Sequence, residues 1–184
     1  YDKSIICWDK SGKLLKKLKG HTDAVSQLVQ LQNGNLLSGS YDKTIRYWKM
    51  DIYASIESKK ILGVDFYSCT NCVVYLPKEE LLICGELTGN IKVINLKTSE
   101  ILTTINEGID EPIRCITKLL DNSFVVGTVS KFIKFSPNLK KVSKVSPSYY
   151  DEVTASICIP HTNKMISSDE KGHIEQPTRE TPLR

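Results

Sequence analysis

The octapeptide YDKTIRYW (Tyr41–Trp48) repeats, with small changes, the stretch YDKSIICW (Tyr1–Trp8) that opens the chain. Tyr, Asp, Lys, Ile and Trp stand at the same places in both copies, and a hydroxyl residue fills the fourth place. An Asp-Lys pair ahead of β-favouring residues predicts a tight turn that leads into a strand. Because the element occurs twice, an internal repeat is the first property to test.

Two markers recur along the whole chain at a period near 42 residues. An isoleucine follows the same kind of turn five times, with gaps of 40, 46, 42 and 41 residues, at Ile5, Ile45, Ile91, Ile133 and Ile174. A small residue stands six positions before the last four of them, at Gly39, Gly85, Gly127 and Ser168. In the second unit, residues 25–31, 35–40, 44–49 and 54–61 are β-favouring runs separated by turn residues. The sequence therefore predicts four strands per repeat, and it contains no convincing amphipathic helix.

Four short strands at a period of about 40–45 residues are typical of a β-propeller blade, and the residues resemble the WD40 family. The resemblance rests on Gly20-His21, Ser38-Gly39-Ser40, residues 42–46 with Trp48, and the dipeptide Trp8-Asp9. It has full strength only over residues 1–49. The predicted fold is all-β, a WD40-like propeller segment of four-stranded antiparallel blades.

The repeat boundaries divide residues 1–184 into one WD40-like region. The predicted units are a half blade (1–19), three blades (20–62, 63–106 and 107–146), a partial blade (147–176) and an irregular tail (177–184). A closed seven-bladed ring at this period needs about 280–300 residues. We therefore expect an incomplete propeller, with further blades upstream and some downstream in a longer chain.

The resemblance implies a buried hydrogen-bond network in a well-formed blade. Its members would be His21, Ser38, Asp42 and Trp48, and in the first copy Asp2 and Trp8 remain. A buried aspartate needs donors to offset its desolvation, so the structural interpretation of His21 and Asp42 outweighs a catalytic one. Later blades have other residues at these places, and the sequence predicts that they rely on apolar packing.

No catalytic, metal or cofactor site is predicted. Cys69 and Cys72 have metal-like spacing, but no second cysteine or histidine pair follows at the distance a structural zinc site requires. His161 in a turn and His173 in the last strand have no nucleophile motif near them. Catalytic function is therefore not expected of this chain.

Composition favours a reduced, cytoplasmic setting, with the nucleus as an alternative. The 25 basic and 21 acidic residues give a net charge of only +4, and two lysine-rich stretches, 13–19 and 131–144, are predicted to be solvated outer strands. The six cysteines mostly stand singly among apolar residues. No apolar run approaches the roughly 20 residues of a membrane-spanning helix.

An acidic residue recurs in the loop that enters the first strand of a blade, at Asp23, Asp110 and Asp151. It serves either turn chemistry or an acidic rim for a basic partner segment. The resemblance implies that Tyr1 and Tyr41 point to the same face, and tyrosine is enriched at binding hot spots.

The sequence thus predicts a non-enzymatic scaffold that binds other proteins or peptide segments in preference to nucleic acid. Two alternatives stay open. One is a substrate-recognition or accessory subunit of a larger enzyme complex such as a ubiquitin ligase, and the other is a basic propeller that binds RNA or anionic lipid.

Overall fold

The computed structural model describes residues 2–50, 58–60, 70–106, 108–145, 153–159, 162, 164–175 and 181–182. These residues form β-strands joined by turns. The first sheet holds β1 (Ser4–Trp8) and β2 (Leu14–Lys19), and the second holds β3 (Val25–Gln30), β4 (Leu36–Ser40), β5 (Ile45–Trp48) and β6 (Ser58–Lys60). The third sheet holds β7 (Thr70–Leu76), β8 (Leu81–Glu86), β9 (Ile91–Asn95) and β10 (Glu100–Ile105). The fourth sheet contains β11 (Ile113–Lys118), β12 (Phe124–Thr128), β13 (Phe132–Phe135) and β14 (Lys141–Val145), and the fifth contains β15 (Val153–Cys158), β16 (Met165–Asp169) and β17 (Ile174–Glu175). A last strand, β18 (Thr181–Pro182), pairs with β14.

Apart from the pairing of β18 with β14, each sheet is an antiparallel meander in which consecutive strands are neighbours. The first strand of the second, third, fourth and fifth sheets shows a register shift at the same place, near its start. A bulge there adds local twist. The repeat predicted from the sequence is thus present in the strand pairing itself.

The two sequence markers are cross-strand partners. Gly39 pairs with Ile45, Gly85 with Ile91 and Ser168 with Ile174. In the fourth sheet the turn is one residue shorter, so that Gly127 pairs with Phe132 instead. A Cβ atom at Gly85 would lie 2.5 Å from Cγ2 of Ile113, in the next sheet. A small residue at this place therefore allows neighbouring sheets to approach.

The core lies between successive sheets, because alternate residues of each strand face opposite neighbours. The third sheet buries Val73, Leu82 and Ile94 with residues of the second sheet, and Ile83, Ile91 and Val93 with residues of the fourth. The fourth and fifth sheets share a further cluster, which includes Val125, Phe132, Val153 and Met165. Every interior sheet is therefore apolar on both faces.

The end of the chain differs from the sequence-based expectation. An irregular tail is predicted over residues 177–184, whereas Thr181 and Pro182 pair with Lys144 and Ser143. Proline is tolerated in such an outer strand because the amide it lacks is not needed on the free side. Pro177, at which the prediction ended the last strand, lies outside the described residues.

Turns alternate between the two ends of the sheets because consecutive strands are antiparallel. In the part of the chain that the structure describes, one end, the first face, carries connections that enter a first strand or join a second strand to a third: 20–24, 41–44, 87–90, 108–112, 129–131 and 170–173. The other end, the second face, carries 9–13, 31–35, 77–80, 96–99, 119–123 and 136–140. Among the described residues, no strand pairing joins the first sheet to the fifth, and no helix is long and apolar enough to cross a membrane.

Candidate partner-binding face

Four polar side chains of the second sheet form one continuous chain of hydrogen bonds. Trp48 Nε1 donates to Ser38 Oγ over 2.8 Å, and Ser38 Oγ lies 2.6 Å from His21 Nε2. His21 Nδ1 lies 2.8 Å from Asp42 Oδ2. An ionised carboxylate only accepts, so Nδ1 carries the imidazole proton and Nε2 accepts from the serine hydroxyl. All four predicted network residues are therefore brought together.

Asp42 ties the entry loop of the second sheet to the turn between β4 and β5. Its carboxylate accepts from the Thr22 amide at 2.9 Å, and from the Thr44 amide and hydroxyl at 3.0 and 2.6 Å. The Tyr41 amide donates to the Ala24 carbonyl over 2.9 Å. Loop 20–24 and turn 41–44 are consequently held as one unit on the first face.

Burial sets the charge state of this network. Desolvation lowers the pKa of His21, and this effect outweighs the opposing hydrogen bond from Asp42. Burial also opposes ionisation of Asp42, but the hydrogen bonds from Thr44, Thr22 and His21 hold its pKa below the ordinary value. The stable form at neutral pH is thus a neutral imidazole beside a carboxylate.

Acid should destabilise the protein through this pair. Both pKa values are lower in the folded state, so the unfolded chain binds more protons. The free energy of unfolding therefore decreases as the pH is lowered. The loss should begin as pH drops below 6.5, the ordinary pKa of histidine, and continue as Asp42 becomes protonated. Urea denaturation between pH 7 and 5 measures this loss of stability.

His21→Asn should reduce the dependence of the unfolding free energy on pH, whereas the exposed control His173→Asn should leave it unchanged. A stability that rises toward pH 5 would contradict the assignment of a neutral His21 beside an ionised Asp42.

Comparison with known proteins agrees with this geometry. Residues 12–49, which include all four network residues, match the family described as WD domain, G-beta repeat. The chain carries a WD40 repeat. The crystal structure of the WD40 beta propeller domain of Doa1 superposes with a TM-score of 0.80 at 20% identity, over 95% of this chain and 57% of that chain. The fold is therefore that of a WD40 propeller segment.

Curated relatives match only parts of the chain. Ribosome biogenesis protein YTM1 of Eremothecium gossypii is 41% identical over 49 residues, which are 27% of this chain and 11% of that protein. Nuclear distribution protein PAC1 of Coccidioides posadasii is 37% identical over 91 residues, 46% of this chain and 18% of that protein. The chain thus spans less than a fifth of the length of either relative.

Later WD40-like blades pack through apolar residues as predicted, with Ile91, Val93, Val125 and Ile133 buried in the core, but the third sheet also has a buried polar cluster. Lys92 Nζ lies 3.2 Å from Glu86 Oε1, with side chains only 1% and 0% exposed. Thr88 Oγ1 and the side-chain Nδ2 of Asn90 donate to the other oxygen of Glu86, Oε2. This cluster lies beside the turn between β8 and β9, where the second sheet has Asp42. A different set of residues therefore fills the same place.

The fourth sheet has its own substitute, built on Glu111 of the entry loop. Its carboxylate accepts from Thr128 Oγ1 at 2.7 Å, from the Ser130 amide at 2.9 Å and from Ser130 Oγ at 2.7 Å. Burial opposes ionisation, but these hydrogen bonds and Lys131 lower the pKa of Glu111 to about 2. In the fourth sheet the carboxylate thus belongs to the entry loop and not to the turn between the second and third strands. It still joins that loop to that turn, as Asp42 does in the second sheet.

In the fifth sheet, His173 Nδ1 lies 2.8 Å from Asp169 Oδ2, and the His173 amide donates to Asp169 Oδ1 over 2.9 Å. His173 stands just before β17, not within the strand as predicted. The sequence carries one partial signal of these substitutes. An acidic residue lies in, or within a few residues of, one of the two joined segments in the second to fifth sheets, but its position does not indicate its partners.

Asp2 and Trp8 of the first sheet do not join such a network among the described residues. Asp2 Oδ2 accepts from Lys17 Nζ over 2.8 Å, and this hydrogen bond lowers the pKa of Asp2. Trp8 is 58% exposed. Their place in the repeat therefore remains an expectation from the sequence.

The predicted binding residues lie in different settings. Tyr41 lines a first-face pocket of about 440 Å³ between the first two sheets, together with Asp2, Ser4, Ala24, Val25 and Ser26. Asp23 and Asp110 are exposed on the same face, and Asp23 Oδ1 also accepts from the Ala24 amide at 2.7 Å. Tyr1 and Asp151 lie outside the described residues. Asp23 thus has both a turn role and an exposed carboxylate.

No group of His, Cys, Asp or Glu within the described part of the chain is arranged to hold a metal ion. Cys72 is buried, and burial raises the pKa of its thiol and that of Cys84. Such thiols stay neutral and pack as small apolar groups. Cys69 and His161 lie outside the described residues.

Proposed function

We propose that the chain is a non-enzymatic protein-interaction scaffold whose first face binds a basic segment of a partner protein. The observation that carries the proposal is the rigid attachment of loop 20–24 to turn 41–44 through the buried carboxylate of Asp42. This attachment fixes Tyr41, which lines the first-face pocket, and the loop that carries the exposed Asp23 beside Ala24 of the same pocket. A pre-organised rim reduces the entropy lost on binding.

Charge favours a protein partner over nucleic acid or anionic lipid. On the acidic side, Asp23 and Asp110 are exposed on the first face. On the basic side, Lys131 lies 3.5 Å from Glu111, Lys134 lies 3.7 Å from Asp121 and Lys17 is paired with Asp2. Three lysines of the two lysine-rich stretches are thus paired with carboxylates, whereas binding to phosphates needs an uncompensated basic stripe.

The test is a quantitative capture experiment with the combined variant Asp23→Lys, Tyr41→Ala and Asp110→Lys. Proteins retained by the wild type should be reduced about tenfold or more, because the variant removes a tyrosine anchor and reverses two rim charges. The direct partners are then measured one at a time with purified proteins, and their affinity should fall with added salt.

The matched control is Glu79→Lys with Glu100→Lys, which changes the net charge by the same amount at two exposed positions away from the first face. It should retain the partners. If both variants lose them equally, or if the wild type instead binds RNA or anionic vesicles with a steep salt dependence, the first-face proposal is contradicted.

A further inference from the structure

A second pocket opens on the opposite, second face of the molecule. It has a volume of about 330 Å³ and lies between the ends of the second and third sheets. Its walls include Leu31, Tyr47, Tyr75, Glu80, Leu96 and Lys97. Two aromatic rings and one carboxylate therefore share a concave site that has no part in the first-face networks.

Core packing and hydrogen bonds fix the positions of the side chains that line this pocket. Leu31 is 5% exposed and packs in the core between the second and third sheets, against which Tyr47, Tyr75 and Leu96 also pack. Asn35 Nδ2 donates to the Tyr47 hydroxyl, and the Met50 amide donates to Asn35 Oδ1 over 2.9 Å. The site is consequently part of the sheet framework, not a gap between loose side chains.

The two turns that carry the charged groups are joined to each other. The Leu96 amide donates to the Glu80 carbonyl over 2.9 Å, and Glu80 has a positive φ of 52°. This backbone conformation fixes where the side chain leaves the turn. Glu80 is therefore positioned at the pocket by its backbone, independently of any partner.

A cation already occupies the mouth of the pocket. Lys97 Nζ lies 2.7 Å from Glu80 Oε2, and the Lys97 side chain is 74% exposed. Its hydrogen bond and charge interaction with Glu80, followed by Tyr75, raise the pKa of Lys97. The site thus favours positive charge, while an exposed lysine is a weakly held occupant because its surface ion pair is screened by water.

We propose that this pocket binds an arginine side chain in an extended segment of a partner protein, with the guanidinium replacing the Lys97 ammonium on Glu80. Arginine suits the site better than lysine, because its planar group is more weakly hydrated, stacks on aromatic rings and can contact a carboxylate through two N–H groups. The aliphatic part of the arginine then contacts Leu31 and Leu96. Lys97 acts as an internal competitor.

The probe is the blocked tripeptide acetyl-Gly-Arg-Gly-amide, titrated into the protein while the ring signals of Tyr47 and Tyr75 are followed by NMR. A Kd on the order of 1 mM is expected for so small a ligand. Glu80→Gln should weaken binding about tenfold by removing the charged acceptor. Lys97→Gln should tighten binding several-fold, because the competing cation is gone.

Three controls make the result specific. Glu79→Gln changes an exposed carboxylate in the same turn that does not line the pocket, and it should leave the Kd unchanged. The peptides with Lys and Leu in place of Arg should bind more weakly. The first-face variant Asp23→Lys, Tyr41→Ala, Asp110→Lys should bind the arginine peptide normally, so that failure here is distinguishable from failure of the proposed function.

Equal binding of the leucine peptide would show an apolar pocket and overturn the proposal. Weaker binding by Lys97→Gln would overturn it as well, because Lys97 would then be part of the site and not its competitor. Absence of any shift at Tyr47 and Tyr75 with peptide at about twenty times the expected Kd would exclude the site altogether.

Discussion

Lys92→Met alone is expected to lower the free energy of unfolding by about 3–5 kcal/mol. The substitution leaves the Glu86 carboxylate, whose side chain is 0% exposed, without the ammonium that lies 3.2 Å away. Thr88 and Asn90 still donate to Glu86, but they carry no charge. An unpaired buried carboxylate must either stay ionised at high cost or take up a proton.

The double variant Glu86→Leu, Lys92→Met should recover most of this loss, because it removes both charges and leaves apolar groups beside Cys84 and Ile94. Urea denaturation of the wild type, the two single variants and the double variant gives the coupling energy directly. Lys97→Met is the control, since it removes a lysine from an exposed ion pair and should leave stability nearly unchanged. Near-equal losses for Lys92→Met and Lys97→Met would contradict the buried pair.

Asp42→Ala is expected to cost about 3 kcal/mol, because several donors lose a buried acceptor at once. They are the imidazole of His21, the amide of Thr22, and the amide and hydroxyl of Thr44. The His21 side chain is 0% exposed, so water cannot readily replace the carboxylate. Asp42→Asn should cost less, since it retains one acceptor oxygen.

Asp9→Ala provides a matched control. Asp9 also accepts several hydrogen bonds, from the amides of Ser11 and Lys13 and from the Ser11 hydroxyl, but its hairpin is exposed. Water can take over these bonds, so the substitution should cause only a small fraction of the loss at Asp42. Thermal or urea unfolding of both variants measures the stability that each substitution removes. If Asp9→Ala and Asp42→Ala cost the same, burial is not what gives the network its stability.

The repeat could be predicted from the sequence because it depends on local order, whereas the network of one blade could be predicted only through the resemblance to WD40 repeats. The turn of Asp42 and the strand that ends at Trp48 lie within one short stretch, and the resemblance adds His21 and Ser38. The cross-strand pairing of Gly85 with Ile91 likewise follows from a turn of fixed length. Such features survive as periodic signals.

The substitute networks could not be predicted in the same way, because the partners change both identity and position. Glu111 reaches Ser130 from another loop, and Glu86 meets Lys92 across a turn. The recurring acidic position in the entry loops indicated Asp110 and not its neighbour Glu111, since only the fold shows which of two adjacent carboxylates points inward. The pairing of β18 with β14 is also non-local, and two residues are too few to give a strand pattern.

The second-face pocket could not be predicted from the sequence either. Tyr47, Tyr75 and Lys97 belong to three separate segments of the chain and meet only when the second and third sheets pack together. Nothing in the spacing of these residues indicates a common site. The strand pattern predicts the sheets, whereas sites between sheets depend on how neighbouring blades are placed.

Hydrogen exchange of the protein with and without a purified, captured partner tests the central claim most directly, because it reports which backbone segments the partner covers. We predict that amide protection increases in loop 20–24, in turn 41–44 and in residues 108–112, and that it is lost with the variant Asp23→Lys, Tyr41→Ala, Asp110→Lys. Protection confined to the second-face turns 31–35, 77–80 and 96–99, with the first face unchanged, would contradict the assignment of the first face as the partner-binding surface.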